Sequence, residues 1–110
     1  MNTLTSISPS IAAEISSALT SIGRGNLVPQ LVSCAIERCS YDDSVNAGYI
    51  YFVQKAPVLH NTQLAAPVSK TLPFLEYGFN IDVDHDGNIF GIEFLDRIDF
   101  ITALRNANAI

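Results

Sequence analysis

A chain of 110 residues, 48% of them hydrophobic and only 15% charged, has the length of one domain and too much apolar content for a disordered tail. Its net charge is -5, and Arg24, Arg38, Lys55, Lys70, Arg97 and Arg105 stand singly, so no basic stripe exists to neutralise phosphates, which argues against a nucleic-acid partner. No apolar run approaches the roughly 18 residues of a membrane span, and no Lys or Arg precedes Glu14, so neither a membrane span nor a signal peptide is expected and a cytoplasmic location is.

Residues 1–8 read as a polar leader. Ser8 is placed to cap a helix, with Pro9 at its first position, where a missing N–H costs nothing. Ile11, Ile15, Leu19 and Ile22 follow at helical spacing and form one apolar stripe. Gly23 and Gly25 supply the stop. The opposite side is Ser, Thr and Ala with Glu14 as its charge, so the helix packs on the domain's own sheet or docks on a second subunit.

Residues 29–41 admit two readings, with 29–36 open between helix and strand. Leu31, Val32, Ala35, Ile36 and Cys39 fit a helix that starts after Pro29, whereas Val32, Cys34 and Ile36 alternate as a strand would; strand is favoured toward the end of the run. The odd separation of Cys34 and Cys39 puts them on opposite faces of a strand. Two cysteines are too few for a disulfide framework, and they read as small core residues.

Asp42, Asp43, Ser44 and Asn46 mark a turn. The dense β-branched and aromatic run from Tyr49 to Val53 is a strand. Residues 55–67 read as loop, and a short strand follows around 68–76.

Residues 78–96, GFNIDVDHDGNIFGIEFLD, carry the clearest pattern. Asp86-Gly87 is a two-residue hairpin signal, because such a turn needs positive φ at its centre. Pairing outward from it sets Val83 against Phe90, Ile81 against Ile92 and Phe79 against Phe94. All three apolar pairs then fall on one face, and Asn80, Asp82, Asp84, Ile89, Gly91 and Glu93 fall on the other. After Asp96, a C-terminal helix is expected with Ile98, Ile101, Thr102 and Arg105 on one side and Phe100 and Leu104 as an adjacent pair.

Residues 82–93, DVDHDGNIFGIE, also satisfy the EF-hand loop pattern, with Asp82, Asp84 and Asp86 at positions one, three and five, Gly87 at six and Glu93 at twelve. An EF-hand needs a helix entering the loop. Pro73, Gly78 and the period-two alternation of Phe79, Ile81 and Val83 speak for a strand there instead. The favoured reading is a turn beside a solvated acidic face, with no metal site and no cofactor.

The blocks YDDSVNAGYIYF at 41–52 and DVDHDGNIFGIEFLD at 82–96 resemble the family called domain of unknown function 2283. Tyr41, Asp42, Ala47, Tyr49 and Ile50 match its first block; Asp82, Asp84, Gly87, Gly91, Ile92, Glu93 and Leu95 match its second. Asn46 stands where the family has Asp, and Gly48 where it has Leu. The longer spacing between blocks points to an enlarged loop over 55–67. The resemblance implies a small antiparallel sheet and a short bacterial or phage-like protein with no known enzymatic activity. It further suggests an interaction role beside a toxin-like partner.

The fold expected is α+β: a four- to five-stranded antiparallel sheet, with an N-terminal helix and a short C-terminal helix on one face. It forms a single domain over 1–110, with a helical extension at 1–30, a sheet core at 31–96 and the last helix at 97–110. The function expected is a non-catalytic interaction module that self-associates as a dimer, since a mean hydropathy of +0.25 implies surplus apolar surface. The alternative is a calcium binder built on the acidic hairpin 82–93. An enzyme is not expected, because no Ser–His–acid, Cys–His or metal constellation is visible. The residues singled out for binding are Tyr49, Asp82, Asp84 and Glu93. Residues 76–99 hold seven acids against Arg97 alone, a local charge of -6, while the rest, with four acids and five bases, is +1; a basic partner is therefore sought at the hairpin.

Overall fold

Capping and turn chemistry set the N-terminal elements, seen in a computed structural model that describes residues 2–54 and 68–110. The leader is itself helical: Thr3 and Ser6 form a capping box around α1 (Leu4–Ile7), and Leu4 is buried. Reciprocal satisfaction of the Thr3 and Ser6 amides by these two short side chains lets a Ser/Thr-rich segment start a helix. Ser8 then caps α2 (Pro9–Ser21) through the Ile11 amide, with Pro9 in the first turn. Gly23 ends the turn that follows with a φ of 78°. Ile11, Ile15 and Leu19 are buried as their spacing predicts, but Ile22 is 50% exposed; it lies past the last helical residue, where the stripe no longer tracks the core.

The ambiguous run divides. Val28–Ser33 is a short helix, α3, with Pro29 in its first turn, and β1 begins at Ile36 (Ile36–Asp42). Neither Cys34, at the end of α3, nor Cys39, within β1, is in a disulfide. Burial pushes the Cys39 thiol up to about 11.

The strands β2 (Ala47–Phe52), β3 (Val68–Phe74), β4 (Phe79–Asp84) and β5 (Ile89–Leu95) complete one antiparallel sheet in the order β1-β2-β5-β4-β3. The loop expected at 55–67 lies outside the described residues. One face of the sheet alternates inward: Ile50 and Phe52, Ile92 and Phe94, Phe79, Ile81 and Val83, Leu72 and Phe74 are all buried. The last helix, α4 (Ile98–Asn106), closes this face, with the Phe100 ring 5.1 Å from Phe94 and 6.4 Å from Phe79. Its buried side is Phe100, Ile101 and Leu104, whereas Ile98 is 71% exposed and Thr102 and Arg105 face solvent. The buried stripe is therefore rotated from the one through Ile98 and Arg105: the aromatic ring, with the larger area to bury, sets the helix's orientation. Leu4, Ile15, Leu19, Leu27 and Leu31 share one core with the sheet, so residues 1–30 are built into the fold. Among the described residues no helix is long and apolar enough to cross a membrane.

The hairpin register holds from Phe79–Phe94 through Asp82–Gly91, then slips. Val83 pairs with Ile89, not Phe90, and a bulge lies after Asp82. The connection is accordingly wider than a two-residue turn. The Asp84 carboxylate accepts from the amides of Asp86 and Asn88, both at 2.9 Å, and Gly87 takes a φ of 81°. From α3, Gln30 donates to the Asn88 side chain at 2.7 Å and accepts from the Ile89 amide at 2.9 Å. The slip puts the β-branched Ile89 into the core and turns Phe90 to the far face.

Candidate functional site

The far face of the sheet is where the helices do not pack, and the register sends a defined set of side chains to it. From β1 come Arg38, Ser40 and Asp42, from β2 Tyr49 and Tyr51, from β5 Gly91 and Glu93, from β4 Asn80 and Asp82, and from β3 Thr71. Their centre is aromatic: the Tyr49 and Tyr51 rings lie 4.4 Å apart, and Phe90, brought over by the bulge, lies 6.4 and 6.2 Å from them. The Arg38 guanidinium sits 3.7 Å from the centre of the Tyr51 ring, a cation–π contact across the β1–β2 pair.

Beside the rings runs a carboxylate network. Asp82 accepts from the Tyr49 hydroxyl and from the Thr71 hydroxyl, both at 2.5 Å, one on each carboxylate oxygen. Glu93 accepts from the Asn80 amide at 3.0 Å. Tyr49 is a direct neighbour of Glu93, yet its ring leans over Gly91 to reach Asp82 on the next strand but one. It does so only because position 91 has no side chain: a Cβ there would collide with the Tyr49 ring and stand 2.6 Å from the Ile50 carbonyl oxygen.

Of the four residues singled out from sequence, three therefore meet: Tyr49, Asp82 and Glu93 share this face. Asp84 does not; its carboxylate is folded into the hairpin turn. Residues 82–93 form two strands and a turn, not a helix-flanked loop, and among the described residues no group of three or more His, Cys, Asp or Glu is arranged to hold a metal ion. Thr71, Phe90 and Arg38 were missed. The spacing of Phe90 assigns it to the core, and the other two reach the site through strand order, which no local pattern encodes.

Burial and the nearby Asp82 and Glu93 charges hold the Tyr49 hydroxyl well above its ordinary value near 10. The folded state thus keeps a proton that the unfolded chain releases, and the stability linked to it is complete below pH 10 and falls as pH rises further. Tyr49→Phe is expected to cost about 1.5 kcal/mol at neutral pH, the worth of a hydrogen bond to a charged acceptor. The gap between variant and wild type should shrink above pH 10. Urea melts at pH 7 and pH 10.5 measure it, and a gap that widens with pH contradicts the assignment.

A second feature lies at one end of the sheet. The β1–β2 turn, the β3–β4 connection and the β5–α4 junction all emerge there, and each exposes a large apolar side chain: Val45 at 62%, Leu75 at 70% and Ile98 at 71%, with Tyr77 half-exposed. Asp43, Glu76 and Asp96 are exposed on the same three connections. Arg97, the one cation of the acidic segment, is taken: it binds Glu14 of α2 at 2.6 Å, Asp99 at 2.7 Å and the Tyr77 carbonyl at 2.5 Å. The same guanidinium holds the Asp99 carboxyl below its usual range.

Residues 38–96, more than half the chain, match the model of a family described as a protein of unknown function, DUF2283. No match to this chain is found among curated proteins or among solved structures. The matched span runs from Arg38 to Asp96 and so covers every residue of the far face.

Proposed function

The chain belongs to the DUF2283 family, and we propose that it is a non-catalytic protein-interaction module of the cytoplasm, which self-associates and presents its acidic, apolar sheet end to a partner with a basic and apolar surface. The observation that carries this reading is the exposure of Val45, Leu75 and Ile98 together at that end. Large apolar side chains left exposed beside charged ones at one end of a sheet are a feature of protein-binding surfaces in soluble domains. The carboxylates of Asp43, Glu76 and Asp96 around them favour a cationic partner and disfavour a nucleic acid.

The far face supports the non-catalytic part. Each Asp82 oxygen accepts a hydroxyl, Glu93 accepts the Asn80 amide and Tyr49 keeps its proton, so these groups are tied to one another across the strands. The cation-binding alternative finds no support in the hairpin, because Asp82 and Asp84 turn to different partners.

Sedimentation velocity from micromolar to high micromolar concentration tests the self-association. A concentration-dependent shift from monomer to dimer is expected, and a strict monomer throughout overturns it.

A further inference from the structure

The two outer strands of the sheet are finished differently. β3 carries Lys70 and also Pro73, which has no N–H to offer, and a bulge lies between Val68 and Lys70; these features keep an edge from pairing with another chain. At the other edge, β1 contains no proline. Its beginning is covered, because Thr3 bridges Ala35 and the Ile36 amide donates to the Asn2 carbonyl at 2.7 Å. From Arg38 to Asp42 no strand among the described residues pairs with its outer side. An open groove of about 670 Å3 runs beside this stretch, lined by Cys39, Tyr41, Asp43, Arg105 and Ile110.

We propose that two copies of this chain pair antiparallel through β1, about a two-fold axis at Ser40, joining their five-stranded sheets into one. The proposal rests on the self-association read above and names its surface and register. Residues directly opposite in an antiparallel pair share a face of the sheet, so the axis must pass through a residue. With the axis at Ser40, Arg38 of each copy stands opposite Asp42 of the other, twice by symmetry, and Cys39 stands opposite Tyr41. An axis at Cys39 sets Arg38 against Ser40, and an axis at Tyr41 sets Asp42 against Ser40; neither makes an ion pair. Arg38 and Asp42 are both exposed on the far face. The Arg38 guanidinium, which lies over the Tyr51 ring, has no carboxylate partner among the described residues and would swing from that ring to the edge on pairing, and Ser44 occupies only Oδ1 of Asp42. Isologous pairing of this kind is self-limiting, since it consumes the edge that made it.

The test is a charge exchange read by sedimentation equilibrium on the full chain, with thermal melts confirming that each variant folds. Arg38→Asp and Asp42→Arg each place like charges opposite one another at two positions. Each is expected to raise the dimer dissociation constant about tenfold. The double variant R38D/D42R restores both pairs and should return to near the wild-type value. Independently, Ser40→Cys places a thiol on the axis, so mild oxidation should link two chains, with the bridge mapped by mass spectrometry to position 40. A wild-type dimer that ignores both single charge variants and gives no such link overturns the β1 interface while leaving self-association standing. A wild-type monomer overturns both.

Discussion

Phe94→Ala should cost about 3–5 kcal/mol, the range for removing a fully buried aromatic ring. Phe94 is at zero exposure, pairs with Phe79 across the hairpin and lies 5.1 Å from the Phe100 ring. On its other side the ring tip occupies the space that a side chain at Gly48 would need. The void left by alanine is therefore bordered by a residue with nothing to move into it. The nearest ring that could collapse into it is Phe100, and with it α4, while the Tyr41 ring stands farther off at 6.5 Å. The loss compares with a total stability of about 5–15 kcal/mol for a domain of this kind. Urea denaturation should show a much lower midpoint at an unchanged slope. A loss below about 1 kcal/mol would mean that the site is not close-packed.

Gly91→Ala is expected to cost about 3 kcal/mol, at the upper end for overpacking. The usual effect of replacing a strand glycine by alanine has the opposite sign, since glycine gives up more conformational freedom on folding. Contact decides the sign here. The new methyl group would strike the Tyr49 ring and stand 2.6 Å from the Ile50 carbonyl oxygen. A ring can swing away at the cost of its hydrogen bond to Asp82; a β2 carbonyl held in the ladder cannot. The double variant Tyr49→Ala/Gly91→Ala should accordingly lose less than the sum of its two parts, because the ring clash is counted once and removed. Strict additivity in the same urea series would show that Tyr49 does not lie over position 91.

The hairpin shows how far a one-dimensional pattern reaches. Alternation of Phe79, Ile81, Ile92 and Phe94 with polar neighbours determines their pairing, because a one-residue slip would send all of them to the wrong face. Near the turn that constraint fades. Ile89 and Phe90 are both apolar, so either satisfies the core, and periodicity does not choose between them. The choice falls to Gln30, 59 residues away, which meets the Ile89 amide, and to Asp84, which meets two amides of the wider turn. The candidate site inherits this division. Tyr49, Asp82 and Glu93 were legible as polar or amphipathic positions on strands. Phe90 arrives through the bulge, and Thr71 and Arg38 through the order of the strands.

By itself the composition and patterning of this chain determined an α+β fold, its capped N-terminal helix at Pro9, its central strands, its acidic hairpin and its final helix. Each of these depends on interactions within a few residues: a cap, a turn, a period of two or of 3.6. Only the tertiary structure decided that β2 lies beside β5, that Tyr49 reaches Asp82 over a glycine, and which side of α4 is buried. It also decided that the local charge of -6 is divided. Arg97 joins Asp99 to Glu14 of α2, Asp84 closes a turn, Asp82 and Glu93 serve the far face, and Glu76 and Asp96 remain at the apolar end. Charge is a sum over the sequence, but whether a carboxylate is a partner, a cap or a free surface group depends on which strand lies next to it.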